Sequence, residues 1–235
     1  MPRPDHREAG ALRPVSLERG ANPHAEGSCL VRFGDTVVLC TASVIDSVPP
    51  WRRGRELGWL TAEYAMLPRA TQERTTRERS GPGGRTQEIQ RLIGRSLRGA
   101  LATFAFGERT IQIDCDVLQA DGGTRTAAIT GAAVALHDAC AWIAETHGVP
   151  DPFGRWVAAV SVGIVDGEPV LDLCYAEDRD AEVDANVVVL EPDQYVEVQA
   201  TGEAGHFGRR DLDALLALAD RGISHLFTRQ RETVA

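Results

Sequence analysis

The chain has 235 residues, 43% of them hydrophobic, and a formal net charge of −9, a composition that suits one soluble domain or two small ones. All 25 basic residues are arginine, and the lack of lysine excludes Schiff-base chemistry and the phosphate-binding lysine of a Walker motif. No uninterrupted apolar run approaches bilayer length and the N-terminus lacks an apolar signal-peptide centre, so we expect no membrane segment and a cytoplasmic location.

The first half of the chain predicts strands followed by a helix. Two runs of β-branched and apolar residues, 28–33 and 36–44, flank a Gly-Asp turn and indicate a hairpin. A strand at 59–64 leads into residues 67–84, where arginines alternate with polar residues, Gly and Pro without apolar periodicity, which predicts a long charged loop. Apolar residues then follow helical spacing over 86–104.

The second half predicts further strands and helices in the same chain. These are a strand at 110–118, an Ala-rich helix to about residue 147, a hairpin of 156–165 and 169–175, strands near 186–190 and 195–200, and a helix at 210–227. Because no low-complexity linker separates the halves, we predict a single α+β domain over 1–235, with mixed sheets packed against helices.

Charge is distributed unevenly along the chain. Residues 51–98 contain 11 arginines and five acidic residues, a net charge of +6, which leaves −15 for the remainder. Four of these arginines lie in the predicted loop: Arg69, Arg74, Arg77 and Arg79. An exposed charge run is usually only a solvated face. Arginine also contacts phosphates with two donors and stacks on bases, so this loop suits a single-stranded RNA track.

Two glycine-rich segments open predicted helices. They are residues 81–86 and residues 121–126. A helix N-terminus presents unpaired N–H groups and a partial positive charge, glycine lets an anion approach the backbone, and each segment adds an arginine. An ordinary N-cap at Thr124 or Thr126 would explain the second helix start, but not Arg125 in the positively polarised first turn. Both segments therefore indicate anion binding.

An acidic stretch, residues 177–184, lies between two predicted strands. Like charges at this density are commonly a solvated loop. Alternatively, Asp178 and Asp184 hold a divalent cation, because Mg²⁺ binds through one or two carboxylates together with substrate phosphates. Phosphate-binding arginines beside a carboxylate metal site indicate phosphoryl transfer.

Several motifs together resemble the RNase PH family. They are residues 24–28 (HAEGS), 59–64 (WLTAEY), 66–69 (MLPR), 84–91 (GRTQEIQR) and 114–125 (DCDVLQADGGTR). The similarity continues through 158–163, 178–187 and the final helix, so it covers nearly the whole chain.

This resemblance implies a ribosomal-protein-S5-domain-2-like α+β fold and a homohexameric ring, a trimer of dimers. It implies phosphate-dependent trimming of single-stranded 3′ ends of tRNA precursors and other RNAs, with release of nucleoside diphosphates. The family pattern assigns phosphate binding to Arg85, Gly123, Thr124 and Arg125, catalysis and a Mg²⁺ or Mn²⁺ ion to Asp178 and Asp184, and RNA contacts to Arg69, Arg74 and Arg77. Asp180 adds a third acid to the metal loop, so the ligand set could shift by one side chain.

Two alternatives remain open at this point. A catalytically silent RNA-binding ring subunit would keep the fold without the chemistry, but the presence of both glycine-arginine segments and both aspartates disfavours it. A hydrolytic nuclease would use water as nucleophile and release nucleoside monophosphates, whereas two anion sites favour phosphate.

Overall fold

The computed structural model describes residues 3–235, and within that range the chain forms nine strands and four α-helices. The strands are β1 (Val15–Arg19), β2 (Gly27–Phe33), β3 (Thr36–Ile45), β4 (Trp59–Met66), β5 (Thr110–Gln119), β6 (Val157–Val165), β7 (Glu168–Leu171), β8 (Val183–Leu190) and β9 (Gln194–Gly202). The helices are α1 (Gly84–Ala100), α2 (Thr124–His147), α3 (Tyr175–Asp180) and α4 (Arg209–Val234). A mixed sheet has the order β1-β2-β3-β5-β4 and an antiparallel sheet has the order β7-β6-β8-β9.

The parallel pair β4 and β5 brings two functional segments to one edge of the mixed sheet. Met66 at the end of β4 lies opposite Val117 of β5. The loop that follows β4 is tied to the chain that follows β5, since the N–H of Ala120 donates to the carbonyl of Ala70 at 2.8 Å. The arginine-rich loop and the turn that opens α2 therefore start side by side.

Helix α2 is the central element of the fold. It packs against β2, β3 and β5 of the mixed sheet and against β6 of the other sheet. Its length and composition would allow it to cross a membrane, but 72% of its most apolar window is buried inside the fold. The expectation that no apolar segment reaches bilayer length overlooked this helix, which is apolar because it contacts both sheets.

Most of the predicted elements are confirmed. Both hairpins are present, α2 agrees with the prediction, and the loop predicted over 67–84 ends one residue earlier, where α1 begins at Gly84. The prediction did not include β1. Helix α1 ends at Ala100 instead of Phe104, because the Ala100 carbonyl accepts the N–H groups of Gly154 and Arg155 at 2.9 and 3.1 Å. Helix α4 continues beyond the predicted end, to Val234.

Two predictions around the acidic stretch were wrong. The strand predicted over 169–175 ends at Leu171, because Asp172 adopts a left-handed φ of 57° that interrupts the extended backbone. The stretch itself is not only a loop: it contains α3, and β8 begins at Val183, three residues before the predicted start. The α+β class is unaffected.

Candidate active site

One cavity of about 400 Å³ collects side chains from both sheets and from three helices. Six of the nine predicted site residues line it: Arg85, Gly123, Thr124, Arg125, Asp178 and Asp184. They come from the first turns of α1 and α2, from α3 and from the start of β8. Chain segments that are up to about a hundred residues apart thus form one site.

The N-terminus of α2 lacks a side-chain cap in the described chain. Gly123 occupies the N-cap position with a left-handed φ of 63°. The Thr126 hydroxyl donates to the Gly123 carbonyl at 2.8 Å, and the Thr124 hydroxyl pairs with the Tyr64 hydroxyl at 2.9 Å. The N-cap interpretation of these threonines is therefore wrong. The first-turn N–H groups are left for an anion.

Arg125 is held by a short chain of hydrogen bonds. Its Nη1 donates to Oε1 of Gln199 at 3.0 Å, and Nε2 of Gln199 donates to Oε1 of Glu88 at 3.1 Å. Arg85, in the first turn of α1, is exposed and makes no side-chain hydrogen bond to residues 3–235. One guanidinium is pre-oriented and the other is free to turn toward a ligand.

Asp178 and Asp184 form the acidic side of the cavity. Burial, and next the charge of Asp178, raises the pKa of Asp184 to about 6, while Arg125 opposes this shift. Burial also raises the pKa of Asp178, against the attraction of Arg125 and Arg85. Two neighbouring carboxylates with raised pKa values are a favourable place for a cation.

The residues present fit a Mg²⁺ ion that shares its coordination with substrate. Within residues 3–235, no group of three or more His, Cys, Asp or Glu side chains could hold a metal ion. A pair of carboxylates completed by phosphate oxygens and water is the usual arrangement for Mg²⁺. Asp180 does not add to this pair: it is exposed, bonds Arg179 at 2.7 Å and lines a separate cavity.

Sequence reasoning missed several residues that line or support the cavity. They are Tyr64, Ser161, Asn186, Gln199 and Glu203. Ser161 of β6 lies opposite Asn186 of β8, which lies opposite Gln199 of β9. A signal was available for Ser161, since it is the one polar side chain inside the otherwise apolar strand β6.

The three arginines assigned to RNA lie outside the cavity. Arg69, Arg74 and Arg77 are exposed on the 67–83 loop. The loop starts at the cavity, because Met66 and Thr71 line it. A strand of RNA bound along the loop would therefore approach the cavity from this side.

Two family models match the chain. One is described as the 3′ exoribonuclease family, domain 1, and matches residues 11–141; the other is domain 2 of the same family and matches residues 156–222. The chain belongs to the RNase PH family of 3′ exoribonucleases. The division between the two matches, residues 142–155, begins within the last turns of α2 and ends just before β6, and one apolar core includes residues from both sides. The single domain over 1–235 stays a prediction.

RNase PH relatives match over the full chain length. Ribonuclease PH of Methylobacterium radiotolerans is 60% identical over 236 residues, which cover 99% of this chain and 100% of that one. Ribonuclease PH of a Synechococcus species is 56% identical, with 99% and 98% covered. The activity of the chain is accordingly that of a phosphate-dependent 3′ exoribonuclease, and the silent-subunit alternative is less supported.

Solved structures confirm the RNase PH fold. Rice Rrp46 superimposes with a TM-score of 0.80 at 20% sequence identity, covering 98% of this chain and 99% of that one. The Archaeoglobus fulgidus exosome with RNA bound to its active site gives a TM-score of 0.80 at 21% identity, covering 99% and 92%. At this identity the likeness establishes the α+β fold.

Proposed function

We propose that this chain trims single-stranded 3′ ends of RNA, tRNA precursors among them, by phosphorolysis in the cavity described above. The observation that carries the proposal is the convergence of an uncapped helix N-terminus, two arginines and two aspartates with raised pKa values. Anion donors and acidic groups side by side are what a phosphoryl transfer between two phosphates requires.

Inorganic phosphate binds at the α2 N-terminus in this proposal. The backbone N–H groups of the first turn, beginning at Thr124, donate to its oxygens, and the Arg125 guanidinium offers two parallel donors. Gln199 keeps that guanidinium in place. Arg85 turns toward the same anion or toward the scissile phosphate, where its charge offsets the second negative group.

The reaction exchanges one phosphate ester bond for a phosphoanhydride bond. An oxygen of inorganic phosphate attacks the phosphorus of the last phosphodiester in line, and the bond from phosphorus to the 3′ oxygen of the preceding nucleotide breaks. That 3′ oxygen takes up a proton from solvent and becomes the new RNA end. The last nucleotide leaves as a nucleoside 5′-diphosphate, so the step is reversible.

Asp178 and Asp184 would hold Mg²⁺, or Mn²⁺, in this mechanism. A bound divalent ion supplies positive charge beside the phosphorus that changes partners. The two carboxylates would hold the ion on the side of the cavity near Arg125, whose charge acts to lower the pKa of both. Because charge grows on the phosphoryl oxygens during transfer, this arrangement stabilises the transition state more than the bound substrates.

RNA reaches the site along the arginine loop, and the assembled enzyme is a homohexameric ring. Arg69, Arg74 and Arg77 bind backbone phosphates of a single strand, which leads the 3′ end to the cavity. The hexamer, a trimer of dimers, is what membership of the RNase PH family implies. The five buried free cysteines support a cytoplasmic location.

The test is product analysis with a short RNA that carries a single-stranded 3′ tail. Purified protein is incubated with the RNA and Mg²⁺, with and without inorganic phosphate, and released nucleotides are separated by chromatography. We expect nucleoside diphosphates only when phosphate is present. Monophosphates that appear without phosphate would mean hydrolysis, and RNA binding with no release would mean a silent subunit.

A further inference from the structure

A buried ion-pair network lies behind the candidate active site and is formed by Arg3, Arg7, Arg13, Asp172 and Glu177. Four of these residues are almost completely buried, with exposures of 8% for Arg3, 3% for Arg13, 0% for Asp172 and 3% for Glu177. None of the five lines the site cavity. Charges at this depth are costly unless they are paired with good geometry, so the pairing calls for a physical explanation.

One part of the network holds the turn that opens α2. Arg13 binds Asp172 with two contacts, Nε to Oδ2 at 3.0 Å and Nη2 to Oδ1 at 2.7 Å. Its remaining donors reach the carbonyls of Asp121 and Gly122, the latter at 3.4 Å. A Cβ atom at Gly123 would lie 3.1 Å from Nη2 of Arg13. The guanidinium of Arg13 therefore supports the carbonyl side of the turn, whose N–H side faces the proposed phosphate site.

The other part holds α3. Arg3 binds Glu177 with two contacts, Nε to Oε1 at 2.6 Å and Nη2 to Oε2 at 2.9 Å. Glu177 in turn accepts the N–H of Cys174 at 2.9 Å, which fixes the start of the helix. The next residue along the chain is Asp178. A six-residue helix is too short to be stable by itself, so these contacts determine where Asp178 lies.

The two parts are joined to each other. The carbonyl of Asp172 accepts hydrogen bonds from both Arg3, at 3.1 Å, and Arg7, at 3.0 Å. The first N–H of α3, at Tyr175, donates to Oδ1 of Asp121 at 3.2 Å. The N-terminal segment thus links the α2 turn to α3 across the interior of the protein.

We infer that Arg13 and Glu177 are positioning residues, with Arg13 setting the phosphate-binding turn and Glu177, held by Arg3, setting Asp178. The inference rests on the proposed function, because it assigns a separate support to each half of the proposed site. A network that only stabilised the fold would affect phosphate binding and turnover alike. Two supports that each hold one segment affect them to different degrees, even though the Asp172 carbonyl joins the two parts.

The experiment compares Arg13→Lys with Glu177→Gln in steady-state phosphorolysis, with phosphate and Mg²⁺ varied. Lysine keeps the charge of Arg13 but cannot bind Asp172 and two carbonyls together. We expect Arg13→Lys to raise the KM for phosphate about tenfold with kcat changed less than about threefold. We expect Glu177→Gln to lower kcat about tenfold and to raise the Mg²⁺ concentration for half-maximal rate, with the KM for phosphate within about twofold of wild type.

Arg19→Lys is the matched control, because Arg19 is half-exposed on β1 and pairs with Asp138 at 2.7 Å, outside the network. This variant should leave kcat, the KM for phosphate and the Mg²⁺ concentration for half-maximal rate unchanged. The inference is overturned if Arg13→Lys keeps the KM for phosphate, or if both variants change the same parameter in the same proportion. Circular dichroism of each variant establishes that the compared proteins are folded.

A second variant keeps the inference testable if Arg13→Lys does not fold. Asp121→Ala removes a half-exposed side chain that contacts both Tyr175 and Arg13, and we expect it to raise the KM for phosphate about threefold. An unchanged KM overturns the inference. The wild-type reaction distinguishes a failure of the proposed function from a failure of the positioning roles. If wild type releases no nucleoside diphosphate, the proposed function fails. If wild type releases nucleoside diphosphate but the variants do not differ in which kinetic parameter changes, only the positioning roles fail.

Discussion

At the scale of single residues, the site depends on groups whose charge is only partly compensated. Arg125 is oriented by Gln199 but has no carboxylate bound to its guanidinium in the described chain. Asp184 has no hydrogen-bonded basic partner among residues 3–235, and its pKa is raised. Such groups are costly in the free protein and useful only when a ligand supplies the missing charge.

Replacing the two arginines proposed to bind phosphate should weaken phosphate use more than RNA binding. For Arg125→Ala we expect a loss of about 100-fold in kcat/KM for phosphate, because a bidentate charge-assisted contact is removed. For Arg85→Ala we expect a smaller loss, since its side chain is exposed. Initial rates at limiting phosphate measure the effect, and wild-type rates for Arg125→Ala would contradict the assignment.

Replacing Asp184 should separate stability from activity. The folded-state pKa of about 6 exceeds the ordinary 3.8, so the folded protein binds the proton more tightly and its stability falls as pH rises between these values. Asp184→Asn removes this penalty and should raise the free energy of unfolding by about 2 kcal/mol at pH 7.5, with little change at pH 4. Turnover should fall at least about 100-fold while RNA binding is kept.

Urea denaturation in the presence of a chelator, at both pH values, measures the stability change. Asp180→Asn is the matched control, because Asp180 is exposed and pairs with Arg179 away from the cavity. It should leave turnover unchanged. An equal effect of Asp184→Asn at pH 4 and pH 7.5 would mean that burial does not raise the pKa of this carboxyl.

At the scale of elements, the site is where helix starts and a loop come together. The α2 turn packs closely against the start of α3, since a Cβ atom at Gly122 would lie 2.5 Å from the carbonyl oxygen of Leu173 and 2.9 Å from the backbone nitrogen of Tyr175. The arginine loop leaves from the same edge and has no apolar residues to pack against the core over most of its length. The α2 turn is held rigidly because it is closely packed, whereas the arginine loop is exposed.

Gly122→Ala should destabilise the protein much more than Gly167→Ala. The two glycines have similar left-handed φ values, 73° and 75°, but a Cβ atom at Gly167 would meet nothing within 4 Å. The control should therefore lose only the conformational cost of about 1–2 kcal/mol. Gly122→Ala adds a clash with backbone, for which we expect about 2 kcal/mol more. Thermal or urea unfolding measures the difference, and equal losses would contradict the packing of the turn.

Removing the loop arginines should weaken RNA binding in a salt-dependent way. For Arg69, Arg74 and Arg77 together changed to Ala, we expect the slope of log K against log salt to decrease by about 2, since each phosphate contact on a single strand contributes about 0.7. The KM for phosphate should stay the same. A control with Arg209, Arg210 and Arg221 changed to Ala removes the same charge from α4, and an equal loss of RNA affinity there would point to net charge instead of the loop.

At the scale of the whole molecule, the basic residues are concentrated in one stretch of the sequence, whereas the apolar core extends through both sheets. Residues 51–98 carry a net charge of +6 on a chain of −9, so the excess of basic residues is concentrated in one stretch of an acidic sequence. The apolar core, in contrast, is continuous through both sheets. The proposed RNA track along the arginine loop thus belongs to a basic stretch of a chain whose remainder carries a net charge of −15.

The proposed ring predicts a defined mass in solution. Light scattering should give about six times the 25.4 kDa of the chain, independent of protein concentration over the micromolar range. A concentration-independent mass of one or two chains would contradict the hexamer. Because a ring places several loops around one opening, a mass shift to the dimer should be accompanied by weaker RNA binding.

The sequence by itself determined the α+β class, the order of the elements other than β1 and α3, and six of the residues that line the cavity. Hairpins and α2 follow from local periodicity and turn residues, and Arg85, Arg125, Asp178 and Asp184 stand in local patterns that have a chemical meaning alone. Helix α3 was not predictable in this way, because a six-residue helix has too few local hydrogen bonds and depends on Glu177 and its distant partner Arg3.

Only the tertiary structure decided which groups act together. Gln199 orients Arg125 across 74 positions of sequence, and Arg13 supports a turn 108 positions away. The tertiary structure also places Asp180 in a different cavity from Asp178 and Asp184, although all three belong to one short acidic stretch of sequence. Local patterns report the conformation of neighbouring residues, whereas the position of a charge relative to another depends on how the sheets and α2 pack, and packing is a property of the whole chain.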